Sequence, residues 1–144
     1  MKKLYLKFSD SMSKLTDIPP LLFRLILAYG FYKPAMKKIN NLDAIIKWFD
    51  SMGLPAPTLN AYLATITEAA GVVLLALGLG TRLISIPLIF TMLVAIYTVH
   101  WKHGFLAAEN GIQIPLYFMI MLISLLISGS GRISIDYLIR KNRN

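Results

Sequence analysis

Long runs of apolar residues, separated by short polar segments, dominate the chain. The four runs are residues 18–36, 62–80, 83–99 and 110–131. The second contains one charged side chain, Glu68, the first contains Arg24 and Lys33, and the other two contain none. Each run is long enough to cross ~30 Å of hydrocarbon as an α-helix. The pattern predicts an all-α fold, an integral membrane antiparallel four-helix bundle.

The connection between the first two runs predicts a further helix that lies with one face down. Leu42, Ile45, Ile46 and Phe49 follow one another at i, i+3, i+4 and i+7, the spacing of one apolar helix face. The segment 53–57, Gly-Leu-Pro-Ala-Pro, then predicts the end of that helix.

Composition agrees with the membrane class. The chain has 144 residues, 56% of them hydrophobic, and a mean hydropathy of +0.62, whereas soluble domains of this length are seldom so apolar. A net charge of +8 would suggest nucleic acid as the partner of a soluble chain. The positions of the charges indicate a membrane topology instead, and we expect the lipid bilayer, not nucleic acid, as the partner.

The basic residues are distributed unequally between the two sides that the four runs define. One side carries Lys2, Lys3, Lys7, Lys14, Arg82, Arg132, Arg140, Lys141 and Arg143, and the other carries Lys37, Lys38, Lys47 and Lys102. Cytoplasmic loops carry the excess of Lys and Arg in inner-membrane proteins. The count predicts a multi-pass membrane protein with both termini in the cytoplasm, and it makes Arg82 and Arg132 candidate topology anchors.

The same pattern predicts three segments. Residues 1–17 are expected to form a cytoplasmic N-terminal segment, residues 18–138 the four-helix transmembrane domain, and residues 139–144 a basic cytoplasmic tail. The beginning resembles a signal peptide, but Lys7 and Asp10 interrupt its apolar run, so we expect the segment to be retained. The absence of cysteine excludes disulfides, thiolate metal sites and iron–sulfur clusters.

Glu68 is the first candidate for function. A carboxylate at the bilayer centre costs ~2.5 kcal/mol or more, so the group must be protonated, paired or exposed to a wet cavity. Two alternatives follow: Glu68 is a proton-exchanging group in a cavity, or it forms an ion pair with Arg24 or Lys33. Small or apolar residues share its helix face and predict that this face packs against other helices. They are Ala61, Ala64, Gly71, Leu75 and Gly78.

Polar side chains on the other runs could complete such a cavity. His100 ends the third run, and Gln113 and Tyr117 lie on one face of the fourth, followed by Ser124 and Ser128. We expect the two serines to bond to their own backbone or to a neighbouring helix. The candidates for a ligand or proton cavity are Glu68, His100, Tyr117, Gln113, Lys33 and Arg24.

Catalytic and metal-binding motifs are scarce. Two imidazoles, His100 and His103, lie three residues apart beside Trp101, a pattern more typical of interfacial residues than of a metal pair, and we expect no metal site. The sequence contains no nucleophile elbow, P-loop, zinc helix or dinucleotide turn. We therefore assign no catalytic residue and expect no stand-alone enzyme, although a subunit of a membrane oxidoreductase is compatible with the sequence.

Several motifs together resemble the DoxX family (DoxD-like) of small four-helix bacterial membrane proteins. The motifs are Arg24 with Phe31 and Lys38, Trp48–Pro57, Glu68-Ala-Ala-Gly, Leu77–Arg82, Met92-Leu-Val-Ala-Ile, His100 with Gly104-Phe105, and Gly129–Asp136. Their order and spacing, from about residue 20 to residue 138, carry the resemblance. It implies the four-helix membrane fold, a location in the bacterial inner membrane and an association with membrane oxidoreductase complexes.

Two segments are most similar to the HvfX-type branch of that family, namely 27–35 and 98–105. Members of this branch are associated with clusters that make modified, copper-binding peptides. The sequence departs from the wider family at Gln113, where a glutamate is usual, and at Ala35, where a glycine is usual. The first departure puts a second intramembrane acid in doubt, unless Glu109 replaces it.

The resemblance implies two alternative functions. The first is an accessory subunit of a quinone-linked membrane redox system, with redox partner subunits, no covalently bound cofactor and a quinone-like ligand in a polar cavity. The second is a non-enzymatic membrane scaffold, or a partner in the export or handling of a modified metal-binding peptide.

The charge count makes a direct prediction about orientation. Because the chain has no cysteine, single introduced cysteines report without background. An impermeant thiol reagent applied to cells with a permeabilised outer membrane should label cysteines that replace Ser51 and Leu106. It should not label those that replace Ser11 and Asn142, because the charge count predicts that both lie in the cytoplasm. Labelling at either terminal position would reverse the predicted orientation.

Overall fold

The computed structural model describes residues 2–13 and 15–142, with the side chains of residues 6–9, 12, 13 and 15–142, and the described residues form helices and turns without strands. The seven α-helices are α1 (Lys2–Ser13), α2 (Ile18–Asn40), α3 (Leu42–Ser51), α4 (Pro57–Leu77), α5 (Thr81–Ala95), α6 (Gln113–Ser128) and α7 (Ile135–Lys141). The predicted all-α class is confirmed.

The first two runs and their connection fold close to prediction. Helix α2 continues past the predicted end at Met36 to Asn40, with Lys37 and Lys38 in its last turn, where cations interact favourably with the helix dipole. The predicted connecting helix is confirmed as α3. Gly53, at φ +71°, follows its end, and α4 then begins at Pro57.

The third run departs from a regular α-helix near its end. Helix α5 stops at Ala95, and Ile96–His100 form a π-helical turn that a 3-10 turn, Trp101–His103, continues. A π-turn inserts an extra residue into a helix and is frequent at functional sites. Apolar periodicity did not predict this turn, because residues 83–99 carry no charge that would mark a face.

The fourth run is helical over a shorter range than predicted. The backbone N–H groups of Gly111, Ile112 and Gln113 donate to the carbonyls of Leu106, Gly104 and Phe105, respectively, at 2.9–3.0 Å. These bonds hold residues 110–112 in a loop, so α6 begins only at Gln113. It ends before Gly129, whose φ of +84° is incompatible with a continued helix.

Helices α2, α4, α5 and α6 enclose the core, and those that touch as neighbours run antiparallel. Contacts of α2 with α4 pair Lys38 with Glu68 and Arg24 with Gly78, so the end of one helix meets the beginning of the other. The face of α4 predicted to pack inward is buried at Ala61, Glu68, Gly71, Leu75 and Gly78 and half-buried at Ala64. A Cβ on its Gly71 would lie 2.9 Å from Leu88 of α5, which shows how closely the two helices approach.

Much of the outer surface is apolar. Leu83 is 76% exposed and Ile127 is 73% exposed, which is typical of side chains that face lipid. Among the described residues, two helical segments are long and apolar enough to cross a membrane, Pro57–Leu77 and Thr81–His103. Helix α6 is also apolar but has 16 residues.

The end of the molecule where α2 begins is closed around a buried guanidinium. Arg24 is 1% exposed, and its Nη2 donates to the backbone carbonyl of Ile133. The guanidinium lies directly over Gly78, because a Cβ at that glycine would come within 1.8 Å of Arg24 Nη1. We call this region the Arg24 end.

The segment after α6 folds back onto the turn between α4 and α5. The Asp136 carboxylate accepts hydrogen bonds from the backbone N–H of Gly80 (2.7 Å) and of Thr81 (3.1 Å), and the Asp136 N–H donates to the Gly78 carbonyl (3.0 Å). The carboxylate therefore satisfies N–H groups at the beginning of α5, which otherwise have no partner within the helix. Three hydrogen bonds between Asp136 and backbone groups of residues 78–81 thus fix the C-terminal segment to this turn.

Gly78 and Gly80 provide a matched test of the Arg24 end. Both have positive φ, +66° and +58°, but a Cβ at Gly78 meets Arg24 at 1.8 Å whereas nothing lies within 4 Å of one at Gly80. Gly80→Ala should cost about 1 kcal/mol of unfolding free energy from backbone strain alone. Gly78→Ala should cost about 2–4 kcal/mol, because it also displaces Arg24. Denaturant unfolding in detergent measures both, and equal losses would contradict the close packing of Arg24.

Candidate functional site

A cavity of about 720 Å³ lies at the other end of the molecule, where α2 ends and α4 begins. We call it the Glu68 cavity. Its wall includes Phe31 and Lys38 of α2, Trp48 and Phe49 of α3, Ala64, Thr67 and Glu68 of α4, Phe90 and Thr91 of α5, Thr98 and His100 of the π-turn, and Phe118 of α6. The wall is mainly apolar and aromatic, with a few polar groups among the rings.

An ion pair lies in this wall. Lys38 Nζ is 2.7 Å from Glu68 Oε2, and the two side chains are 14% and 5% exposed, respectively. This distance is that of a charge-assisted hydrogen bond. Glu68 therefore both lines a cavity and forms an ion pair, and its partner is Lys38, so the ion-pair alternative was wrong in naming Arg24 or Lys33 as the partner.

The pairing follows from the buried face of α2. Leu27, Phe31 and Ala35 are buried at spacings of four, and Lys38 follows three residues later on the same face. Lys38 belongs to the family-like motif with Arg24 and Phe31 but was not among the predicted cavity candidates, because the first run was ended at Met36 and the lysine was assigned to the connection. Extending the apolar face of α2 by one turn would have found it.

His100 contributes the second polar group of the wall. Its Nδ1 lies 2.7 Å from the backbone carbonyl oxygen of Asn110, in the loop that precedes α6. Because a carbonyl oxygen only accepts, the bond assigns the ring hydrogen to Nδ1 and leaves the Nε2 lone pair free to accept in the neutral imidazole. His103 makes a similar bond with the carbonyl of Val99 at 2.9 Å but does not line the cavity.

The structure therefore brings Glu68 and His100 to one cavity but not the other four candidates. Arg24 lies at the Arg24 end, and Lys33 is exposed on another face of α2. Gln113 Oε1 accepts from the Ala107 N–H at 3.0 Å, and Gln113 Nε2 donates to the Tyr117 hydroxyl at 3.3 Å. Because the loop fixes the first turn of α6 in this way, Gln113 and Tyr117 do not line the wall.

The two candidate topology anchors both contribute to the Arg24 end. Arg82 Nη2 donates to the carbonyl of Ile127 at 3.0 Å. Arg132 binds Asp17, with its backbone N–H 2.8 Å from Oδ1 and its Nε 3.6 Å from Oδ2. The first contact joins the last turn of α6 to the beginning of α5, and the second joins the segment after α6 to the beginning of α2.

Two smaller expectations also concern polar side chains. The expected bond of a serine on the fourth run to its own backbone is found at Ser128, whose hydroxyl donates to the carbonyl of Ser124 at 2.7 Å. Within residues 2–13 and 15–142, no group of three or more histidine, aspartate or glutamate residues could hold a metal ion. Glu109 lies exposed in a 3-10 turn, Ala107–Glu109, away from the cavity wall.

Comparison with known proteins identifies the family to which the sequence is similar. The DoxX family model matches residues 20–101, which include the ion pair and His100. A Haemophilus influenzae "Uncharacterized protein" is 29% identical over 125 residues, 84% of this chain and 83% of its own length. A Bacillus subtilis protein named "Putative oxidoreductase CatD" is 29% identical over 132 residues, 92% of this chain and 95% of its own length. No solved structure matches the chain significantly.

The ion pair predicts strong coupling between two substitutions. Glu68→Gln leaves Lys38 as a largely buried, unpaired cation and should cost about 2–3 kcal/mol, somewhat less than a fully buried pair because Lys38 keeps 14% exposure. Lys38→Met should cost a similar amount, and the double variant should cost much less than the sum. Unfolding in detergent measures the cycle.

Lys33→Met is the matched control, because Lys33 lies exposed on the same helix. Its combination with Glu68→Gln should be additive. Additivity in the Lys38 cycle as well would show that the ion pair does not form in the folded protein.

Proposed function

Because this chain belongs to the DoxX family, whose members are membrane-associated, we propose that it is a four-helix bacterial inner-membrane protein that serves as an accessory subunit of a redox system. The proposal makes α2, α4, α5 and α6 the antiparallel spans of a transmembrane domain over residues 18–138. Residues 1–17 and 139–144 are then cytoplasmic, an orientation that the Lys and Arg count supports.

The Glu68 cavity is the single observation that carries the ligand in this proposal. Its volume of about 720 Å³ falls in the range of small-molecule sites, which are mostly apolar with a few placed polar groups. Aromatic rings such as Trp48, Phe90 and Phe118 suit a flat, apolar ring, and the Lys38–Glu68 pair and His100 suit its polar substituents. A quinone-like ligand combines both features.

The proposed roles of this chain and of its partner subunits follow from the side chains present. The chain has no cysteine to supply a thiol. In this proposal the chain therefore binds the ligand, and a partner subunit carries out the electron transfer. The similarity to the protein named "Putative oxidoreductase CatD", which covers 92% of this chain, supports a redox association. Within the family, the segments 27–35 and 98–105 favour the HvfX-type branch.

The surface loop supports the second candidate function. Residues 101–110 are all exposed, among them Trp101, His103 and Phe105. In the alternative proposal this loop contacts a modified metal-binding peptide or its processing enzymes, and the chain acts as a scaffold in export or handling. Co-purification with such a peptide would support that alternative, whereas a ligand-dependent thermal shift would support the first.

Two alanines on α4 allow the cavity to be tested separately from the rest of the helix. Ala64 lines the Glu68 cavity, and Ala76 is exposed near the other end of the same helix. A short-chain benzoquinone should raise the melting temperature of the purified wild-type protein, because a ligand that binds the native state stabilises it. Ala64→Phe should abolish that shift by filling the cavity, and Ala76→Phe should retain it. A shift that persists in Ala64→Phe would place the ligand elsewhere.

A further inference from the structure

We infer that the Glu68 cavity prefers an aromatic ligand whose hydroxyl groups donate hydrogen bonds, such as a quinol or a phenol, over the corresponding quinone. This inference rests on the proposed function, because it assumes that the cavity is the ligand site. It follows from four polar groups of the wall, Glu68, Thr91, Thr98 and His100, which can accept a hydrogen bond but have no hydrogen left to give.

His100 is the first such acceptor. The bond between Nδ1 and the Asn110 carbonyl oxygen commits the ring hydrogen of the neutral imidazole outside the cavity. Nε2 then carries a lone pair and no hydrogen, and no described residue bonds to it. A ligand hydroxyl can donate a hydrogen bond to this nitrogen. A ligand carbonyl cannot, because its oxygen and Nε2 are both acceptors.

Two threonine hydroxyls of the wall likewise donate their hydrogens to backbone carbonyls. The Thr91 hydroxyl donates to the carbonyl of Pro87 at 3.0 Å, and the Thr98 hydroxyl donates to the carbonyl of Val94 at 2.7 Å. Both bonds run back along the helix, so each hydroxyl oxygen keeps only lone pairs for a ligand. The hydroxyls that would normally serve as either donor or acceptor are therefore biased toward accepting.

The ion pair adds one acceptor and the main donor. Glu68 Oε2 binds Lys38, while no bond from a described residue reaches Oε1, which can accept from a ligand. Lys38 gives one of its three hydrogens to Glu68 and can give another to a ligand oxygen. One donor of this strength can serve one oxygen of a quinone.

The wall also offers donors to a quinone. Asn60 Nδ2 gives one of its two hydrogens to the carbonyl of Pro55 and keeps the other, the indole N–H of Trp48 has no bond to a described residue, and the Thr67 hydroxyl can act in either sense. A quinone can therefore accept hydrogen bonds at its oxygens, but it leaves the wall groups that only accept unpaired, which is costly, whereas each hydroxyl of a quinol can donate to one of them and still accept from a donor. We expect the quinol to bind about tenfold more tightly than the quinone.

The test compares three ligands of nearly the same shape on the purified full chain in lipid nanodiscs. They are a short-chain benzoquinol kept under argon, its quinone, and the dimethyl ether of the quinol, which keeps the aromatic ring but has no hydroxyl hydrogen. Isothermal titration should give about tenfold tighter binding for the quinol than for either of the others. Equal affinity for quinol and quinone would overturn the inference and leave the proposed ligand site standing. No binding of any of the three would overturn the proposed site as well.

A matched pair of histidine variants assigns the preference. His100→Phe keeps an aromatic ring but removes Nε2, and it should reduce the preference for the quinol at least threefold. His103→Phe removes a ring with a similar backbone bond outside the cavity and should leave the preference unchanged. Thr98→Val, which removes an acceptor with little change in shape, is the second variant if His100→Phe does not fold. An unchanged preference in both cavity variants, or an equal loss in His103→Phe, would overturn the assignment.

Discussion

The pairing of Lys38 with Glu68 is the interaction on which the arrangement of the helices depends. An unpaired charge inside apolar helices is costly, so the two groups must meet wherever α2 and α4 pack together. Their contact joins the last turn of α2 to the middle of α4. Leu27, Phe31 and Ala35 continue the same face of α2 toward Arg24, so one register serves both the ion pair and the core.

The two ends of the molecule use their buried charges in different ways. At the Arg24 end the guanidinium fits over a glycine, and the carboxylate and backbone N–H of Asp136 bond to backbone groups of residues 78–81. At the other end the charges face a cavity of about 720 Å³. A closed end that holds the helices in register and an open end that retains polar groups for a ligand are what a rigid binding site requires.

The π-turn connects the fold to the chemistry of the cavity. It ends at His100, and the loop of residues 104–112 supplies the Asn110 carbonyl that sets the ring hydrogen of that histidine. The same loop takes Gln113 out of the cavity by bonding it to Ala107. One short segment therefore sets the ring hydrogen of His100 and keeps Gln113 out of the cavity wall.

The sequence by itself determined the elements. Apolar run length predicted helices at all four positions, the i, i+3, i+4 pattern predicted α3, and the small residues around Glu68 predicted the buried face of α4, because these features depend on local spacing. It also identified Glu68 and His100 as residues that could share a cavity. Only the tertiary structure decided that Lys38 pairs with Glu68, that Asp136 caps α5, and that Gln113 and Tyr117 point elsewhere. Each of these depends on where a helix ends or how a loop folds back. Hydrogen bonds between residues distant in sequence, or within an irregular loop, do not produce a periodic pattern of residues that the sequence would show.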